Sequence, residues 1–171
     1  WYTVASETNA HDPNLVCTQL NFAPKNADDK YSDVEYLASY NKGASPSGEH
    51  VDAAGLFTPT SDDFTVPGQA PYQLEIPVGM GIPAQDFFFV ASDGDANGEG
   101  ISAVVTYSCP KDGKNSQMFL LSRTPSFASR TTRATLEKRA GAAMSNFDAH
   151  DFTLIDQPVA CEYRYSFNTV V

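Results

Sequence analysis

Eight short segments rich in β-branched or aromatic residues follow one another along this chain, each closed by a cluster of Gly, Pro, Asn, Asp or Ser. Strands are expected near Tyr2–Ser6, Leu15–Phe22, Asp33–Tyr40, Val51–Thr58, Pro71–Ile76, Asp86–Ala91, Ile101–Cys109 and Gln117–Arg123. A ninth short segment, Phe152–Ile155, comes after the one helical stretch. Alternation gives the strand faces. In "YQLEIP", Tyr72, Leu74 and Ile76 fall on one side, with Gln73 and Glu75 on the other. In "DFFFVAS", Phe88 opposes Phe87 and Phe89, so that strand is buried on both faces or covered by another element.

The helix spans Thr131–Phe147. Its apolar residues Leu136, Ala140, Ala143, Met144 and Phe147 form one stripe, which needs a sheet to pack on. Gly141 weakens this helix by about 1 kcal/mol relative to Ala without breaking it. Alternation fits either a sandwich or an up-and-down barrel. A single helix placed after all eight strands is what a small barrel with external helical cover requires.

Length and charge narrow the function. A chain of 171 residues fits a single domain, 1–171, that buries about 70% of the surface its unfolded form exposes. A net charge of −10 argues against nucleic acid as a partner. No apolar run is long enough for a membrane span, and no signal-peptide pattern opens the sequence, so the expectation is a soluble protein whose leader has been removed. Cys17, Cys109 and Cys161 lack the spacing of a zinc or thioredoxin site. His11, His50 and His150 show no ligand spacing. "DGDANGEG" starts like an EF-hand loop, with Asp93, Asp95 and Asn97 ahead of Gly98, but Val104 stands where the bidentate Glu belongs. No metal is expected, and no hydrolase nucleophile motif is present. The protein is expected not to be an enzyme.

The segments "AVVTYSC" and "SQMFLLSRTPS", the helix after them and the closing "FTLIDQPVAC" resemble the last third of a lipocalin. The opening "WYTVA" is similar to the Gly-x-Trp-Tyr motif of that family, and the likeness covers residues 1–22 and 101–161. It implies an all-β fold: an eight-stranded antiparallel up-and-down β-barrel with one C-terminal α-helix on its outside. It implies that Arg123 packs against Trp1 beneath the barrel, a contact worth about 1–2 kcal/mol. In the branch containing bilin-binding proteins, apolipoprotein D and the crustacyanins, a Cys on the second strand pairs with one near the C-terminus. Cys17 and Cys161 occupy those places. The partner of Cys109 in that branch lies upstream of the Trp motif, which implies a short N-terminal segment missing from this sequence.

A lipocalin barrel implies a cavity for one small ligand. Alternation proposes as its lining Leu20, Phe22, Tyr36, Tyr40, Gly55 and Phe57 from the first half of the barrel. Tyr72, Leu74, Ile76, Phe87, Phe89, Thr106, Phe119 and Leu121 come from the second half. This face is aromatic and without charge, and it suits a long or planar hydrophobic molecule. The branch resemblance tilts the choice to a non-covalent carotenoid or bilin, with a fatty acid, retinoid or steroid as the colourless alternative. An enzymatic lipocalin that isomerises a lipid would need an inward cysteine. The loops "ETNAHDPN", "NKGASPSGEH" and "VGMGIPAQ" are placed to gate access or to form homo-oligomer contacts. The resemblance and the cysteines together imply a secreted protein.

Overall fold

The computed structural model of this chain describes residues 1–7, 14–29, 31–60, 71–75, 85–95, 99–110, 116–126, 130–155 and 157–163. Within them lie β1 (Tyr2–Glu7), β2 (Leu15–Pro24), β3 (Val34–Lys42), β4 (His50–Pro59) and β5 (Tyr72–Glu75). The second half holds β6 (Gln85–Ser92), β7 (Ala103–Pro110), β8 (Gln117–Ser122), α1 (Arg130–Ala143) and β9 (Phe152–Leu154). All eight expected barrel strands form, with ends displaced by no more than two residues.

Neighbours in sequence pair antiparallel from β2 through to β8, and β8 pairs with β1. The sheet closes where β1 meets β2: Tyr2 stands opposite Gln19, and the Trp1 and Leu20 backbones exchange hydrogen bonds of 2.6 and 2.7 Å. Further along β1, the same edge is taken by β9, which pairs Ala5 with Leu154 and Glu7 with Phe152. This is a closed eight-stranded barrel with an added strand outside it. Closure leaves no long open edge in a strand-rich molecule.

One extra residue in β2 lets it turn between its two neighbours. Three steps from Val16 to Gln19 match two on β3, from Asn41 to Ser39. Cys17 sits in this bulge with φ at 56°, a left-handed conformation that costs a non-glycine residue about 1–2 kcal/mol. Its sulfur is bonded to Cys161, with the Cα atoms 5.4 Å apart. The C-terminal segment is thereby strapped across β1 and β2. The Gln157 amide donates to the Thr3 carbonyl at 2.9 Å and to the Thr18 hydroxyl at 2.7 Å, and Tyr163 sets its ring edge-on to Tyr2.

Two apolar clusters lie on opposite sides of the barrel wall. Inside, Phe57, Leu74 and Phe87 are buried, with Phe22, Val34, Tyr36 and Tyr72 packed against them. Outside, Val4, Ala5, Ala103, Val105, Met118 and Leu120 meet Leu136 and Ala140 of α1, both of which are fully buried. Burial of Leu136 alone contributes about 2 kcal/mol. Phe88, read as facing away from its neighbours, packs its ring on Tyr107 at 6.0 Å.

The helix ends at Ala143, four residues earlier than its apolar stripe suggests. Ser145 and Asn146 follow, residues whose side chains compete for backbone hydrogen bonds. Met144 and Phe147 still return to the outer cluster, through turns in which Met144 N donates to Ala140 O and Phe147 N to Met144 O. Ala143, at the edge of the stripe, is exposed.

Candidate functional site

Strand register puts every described member of the expected lining on one face. Leu20 shares it with Ala38, Phe22 with Tyr36 and Gly55, Phe57 with Leu74, Tyr72 with Phe87, and Phe89 with Thr106 and Phe119. Tyr40 and Leu121 follow by two-residue steps along their strands. Because the helix packs on Val105 and Leu120, the alternate face, this one is the interior. Ile76 lies outside the described residues.

Sharing the interior face does not put all of these residues on one cavity. A cavity of about 680 Å³ is lined by Phe22, Phe57, Tyr72, Phe89 and Leu121 from the expected set. Tyr36, Leu74 and Phe87 stand behind that wall: Tyr36 meets Phe22 at 5.8 Å and Phe57 at 5.5 Å, while Phe87 meets Phe57 at 4.7 Å. Gly55 gives Tyr36 its place, since a Cβ there would lie 3.2 Å from the Tyr36 ring and 2.7 Å from the Glu75 carbonyl oxygen. Thr106 is buried with its hydroxyl on the Phe119 carbonyl at 3.4 Å. Leu20, Tyr40 and Phe119 are half-buried and do not line this cavity.

The cavity also takes residues that alternation did not select. Val104 belongs to the same face as Thr106, two residues nearer the start of β7, and Val34 begins β3. Val90 and Ala91 join through a bulge in β6, where two steps from Phe89 to Ala91 match one from Thr106 to Val105. Ser92, Ile101 and Trp1 complete this end. All of these positions lie toward the β2–β3, β4–β5 and β6–β7 connections. Of the three loops read as gates, "NKGASPSGEH" lies at the opposite end; residues 8–13 and 78–84 of the other two fall outside the described residues.

The expectation of an uncharged lining is corrected here, because Arg123 and Arg139 both border the cavity. Arg139 comes from the helix, which a reading of strand faces does not include. The Arg123 guanidinium lies 4.9 Å from the centre of the Trp1 ring, and its Nε donates to the Ile101 carbonyl at 2.8 Å. Arg139 donates through Nη1 to the carbonyls of Ser92 at 2.5 Å and Gly94 at 2.6 Å. Both cations are therefore held on the β6–β7 connection. Asp93 pins that connection from within, accepting from the Ser102 and Ala103 amides at 2.8 Å each and from the Ser102 hydroxyl. Partial burial pushes its carboxyl pKa upward, but these hydrogen bonds prevail and hold it below the usual value. Deeper in the barrel, burial and then the neighbouring Tyr40 push the Tyr36 phenol up to about 12.

Most of the cavity surface is apolar, and Phe89 leaves 54% of its surface uncovered on it. Among the described residues, no group of three His, Cys, Asp or Glu is placed to hold a metal ion. Cys109 has no disulfide partner among them, and register sets it opposite Asp86, on the face away from Thr106 and Ser108.

No family model and no curated protein matches this sequence. Solved structures do match its fold. Lobster apocrustacyanin A1 aligns with a TM-score of 0.60 and 17% identity, over 94% of this chain and 77% of that one. Apocrustacyanin C2 aligns with the same values. The H1 crustacyanin of the lobster Homarus americanus gives a TM-score of 0.60 at 16% identity, with the same coverage. The chain thus has the fold of the crustacyanins, a lipocalin barrel.

Proposed function

We propose that this protein is a secreted binding protein that holds one small hydrophobic molecule in its barrel, and that the molecule is a pigment, a carotenoid or bilin, kept for coloration, storage or transport. The observation that carries this reading is the 680 Å³ apolar cavity with the half-uncovered ring of Phe89 on its wall. Cavities of about 300–1,000 Å³ lined by aromatic side chains are the usual form of a small-molecule site. An uncovered aromatic ring is unfavourable in water, and covering it contributes about 25 cal/mol for each Å² of apolar surface removed. The rings of Phe22, Phe57, Tyr72 and Phe89 offer flat faces to a planar or polyene ligand. The branch resemblance of the sequence and the crustacyanin fold favour a pigment over a colourless lipid.

Sequestration is the mechanism this cavity supports. Cys17 and Cys161 are consumed in a disulfide, and Cys109 is turned from the interior, so the inward thiol that lipid isomerisation needs is not supplied by any of the three. The disulfide also supports an oxidising, extracellular destination.

The test is a visible absorption spectrum of protein purified from its native source, followed by solvent extraction and mass measurement. A visible band that shifts on extraction, with the mass of a carotenoid or bilin released, is the expected result. A colourless protein that releases a lipid overturns the pigment assignment, and one that releases nothing overturns the carrier reading.

A further inference from the structure

Charge in this chain is distributed so that acids are in surplus, with 21 Asp and Glu against 11 Lys and Arg. Basic side chains elsewhere take advantage of that surplus: Lys25 pairs with Asp33, Lys42 with Glu49 and Arg133 with Glu137. The two arginines on the cavity do not. Among the described residues, Arg123 and Arg139 form no ion pair, and their hydrogen bonds run to the backbone carbonyls of Ile101, Ser92 and Gly94. A carbonyl accepts a hydrogen bond without cancelling the charge. Each guanidinium has five N–H donors, so each keeps several after these contacts.

Two formal positive charges consequently stand at one end of an apolar cavity whose lining, among the described residues, contains no Asp or Glu, while the Asp93 carboxylate of the same connection is taken by Ser102 and Ala103. They are held in place rather than left to swing, because both are anchored on the same β6–β7 connection and Arg123 is also stacked on Trp1. An anchored guanidinium with spare donors is the arrangement that receives a carboxylate, through paired charge-assisted hydrogen bonds.

Resting on the reading of the barrel as a ligand carrier, we propose that its ligand is amphipathic: an apolar body against Phe22, Phe57 and Phe89, ending in a carboxylate received by Arg123 and Arg139. This chemistry separates the two pigments considered above. A bilin carries propionate carboxylates, and a carotenoid carries none. It equally admits a long-chain acid, and it disfavours a neutral hydrocarbon, alcohol or ester of the same length.

The test compares palmitic acid with its methyl ester, each displacing a neutral apolar fluorescent probe from the full chain at neutral pH and low salt. Both guanidiniums are solvent-exposed and therefore screened, so the acid is expected to bind about three- to tenfold more tightly than the ester, with the margin narrowing as salt is added. In Arg139→Gln, which keeps a donor for the Ser92 and Gly94 carbonyls, the acid loses more affinity than the ester, so that its margin over the ester shrinks toward unity. Arg139→Lys, which keeps the charge, retains the preference. Equal affinities in the unaltered protein, or a loss in Arg139→Gln that is the same for acid and ester, overturns the carboxylate site and leaves the carrier reading standing. Binding of the neutral probe with no displacement by either compound also overturns the proposal. A failure of the probe and both compounds to bind overturns the carrier reading itself.

Discussion

Replacing both Cys17 and Cys161 with Ser is expected to lower unfolding stability by about 3 kcal/mol, within the range usual for a native disulfide. The bond spans 144 positions in sequence, for which the chain-entropy relation gives about 5 kcal/mol of stabilisation by restriction of the unfolded chain. Native and engineered bonds commonly deliver less than this relation gives, and the left-handed backbone of Cys17, with φ at 56°, is a separate cost of about 1–2 kcal/mol that a serine held in the same bulge also bears. Equilibrium guanidinium unfolding, followed by far-ultraviolet circular dichroism, measures the difference. In a chain of this length the midpoint of thermal unfolding should fall by about 6–12 °C. A second pair of variants isolates the backbone contribution. With Cys161→Ser present in both, Cys17→Gly should be more stable than Cys17→Ala by about 1 kcal/mol, because glycine adopts the left-handed region freely. A disulfide effect below about 1 kcal/mol would refute the reasoning, because it would mean that the unfolded chain is not appreciably restricted by the bond. Equal stability of the Gly and Ala variants would show that the bulge relaxes once the bond is gone.

Other perturbations follow from the same geometry. Gly141 lies on the exposed side of α1, and among the described residues a Cβ there would meet only the Phe147 ring at an ordinary 3.8 Å, so Gly141→Ala should stabilise the protein by about 1 kcal/mol in the same unfolding assay. Arg123→Met removes the stack on Trp1 and the bond to Ile101, with an expected loss of about 1 kcal/mol and a shift in the emission of the single tryptophan. The Tyr36 phenol holds its proton to about pH 12 when folded, whereas the unfolded chain releases it near 10. Stability should therefore fall as pH rises through that interval, by up to about 1.4 kcal/mol per pH unit, and Tyr36→Phe should flatten the fall in denaturation midpoints. At the acid end, Asp93 has the opposite sense: its stabilisation is complete above the ordinary carboxylate range and is lost as pH drops through its depressed value, a dependence that Asp93→Asn should remove.

The residues that alternation placed inside the barrel are a useful measure of what the sequence makes legible. A regular ladder has a period of two, so once one residue of "YQLEIP" or "DFFFVAS" is assigned to the interior its described neighbours follow, and register agrees from Leu20 through to Leu121. The disulfide was legible through family resemblance, since nothing in the composition of the chain pairs Cys17 with Cys161 in preference to Cys109. What alternation cannot supply is depth along the barrel. Tyr36, Leu74 and Phe87 share a face with Phe57 yet form a second layer behind the cavity wall, an outcome of tertiary packing. A bulge likewise breaks the period: Val90 and Ala91 both reach the cavity because one residue of β6 has no opposite number on β7. Arg139 had no strand pattern to reveal it. It reaches the site because Leu136 and Ala140 dock the helix over β6 and β7, which carries the residue between them to the β6–β7 connection.

The claim that this barrel receives a ligand is tested most directly by titrating the protein with a carotenoid or a bilin while following the emission of Trp1, the single tryptophan, which lies on the cavity wall. The account predicts saturable quenching that ends at one ligand per chain for at least one of the two. Emission that declines without saturation for both, in proportion to added ligand alone, would contradict it.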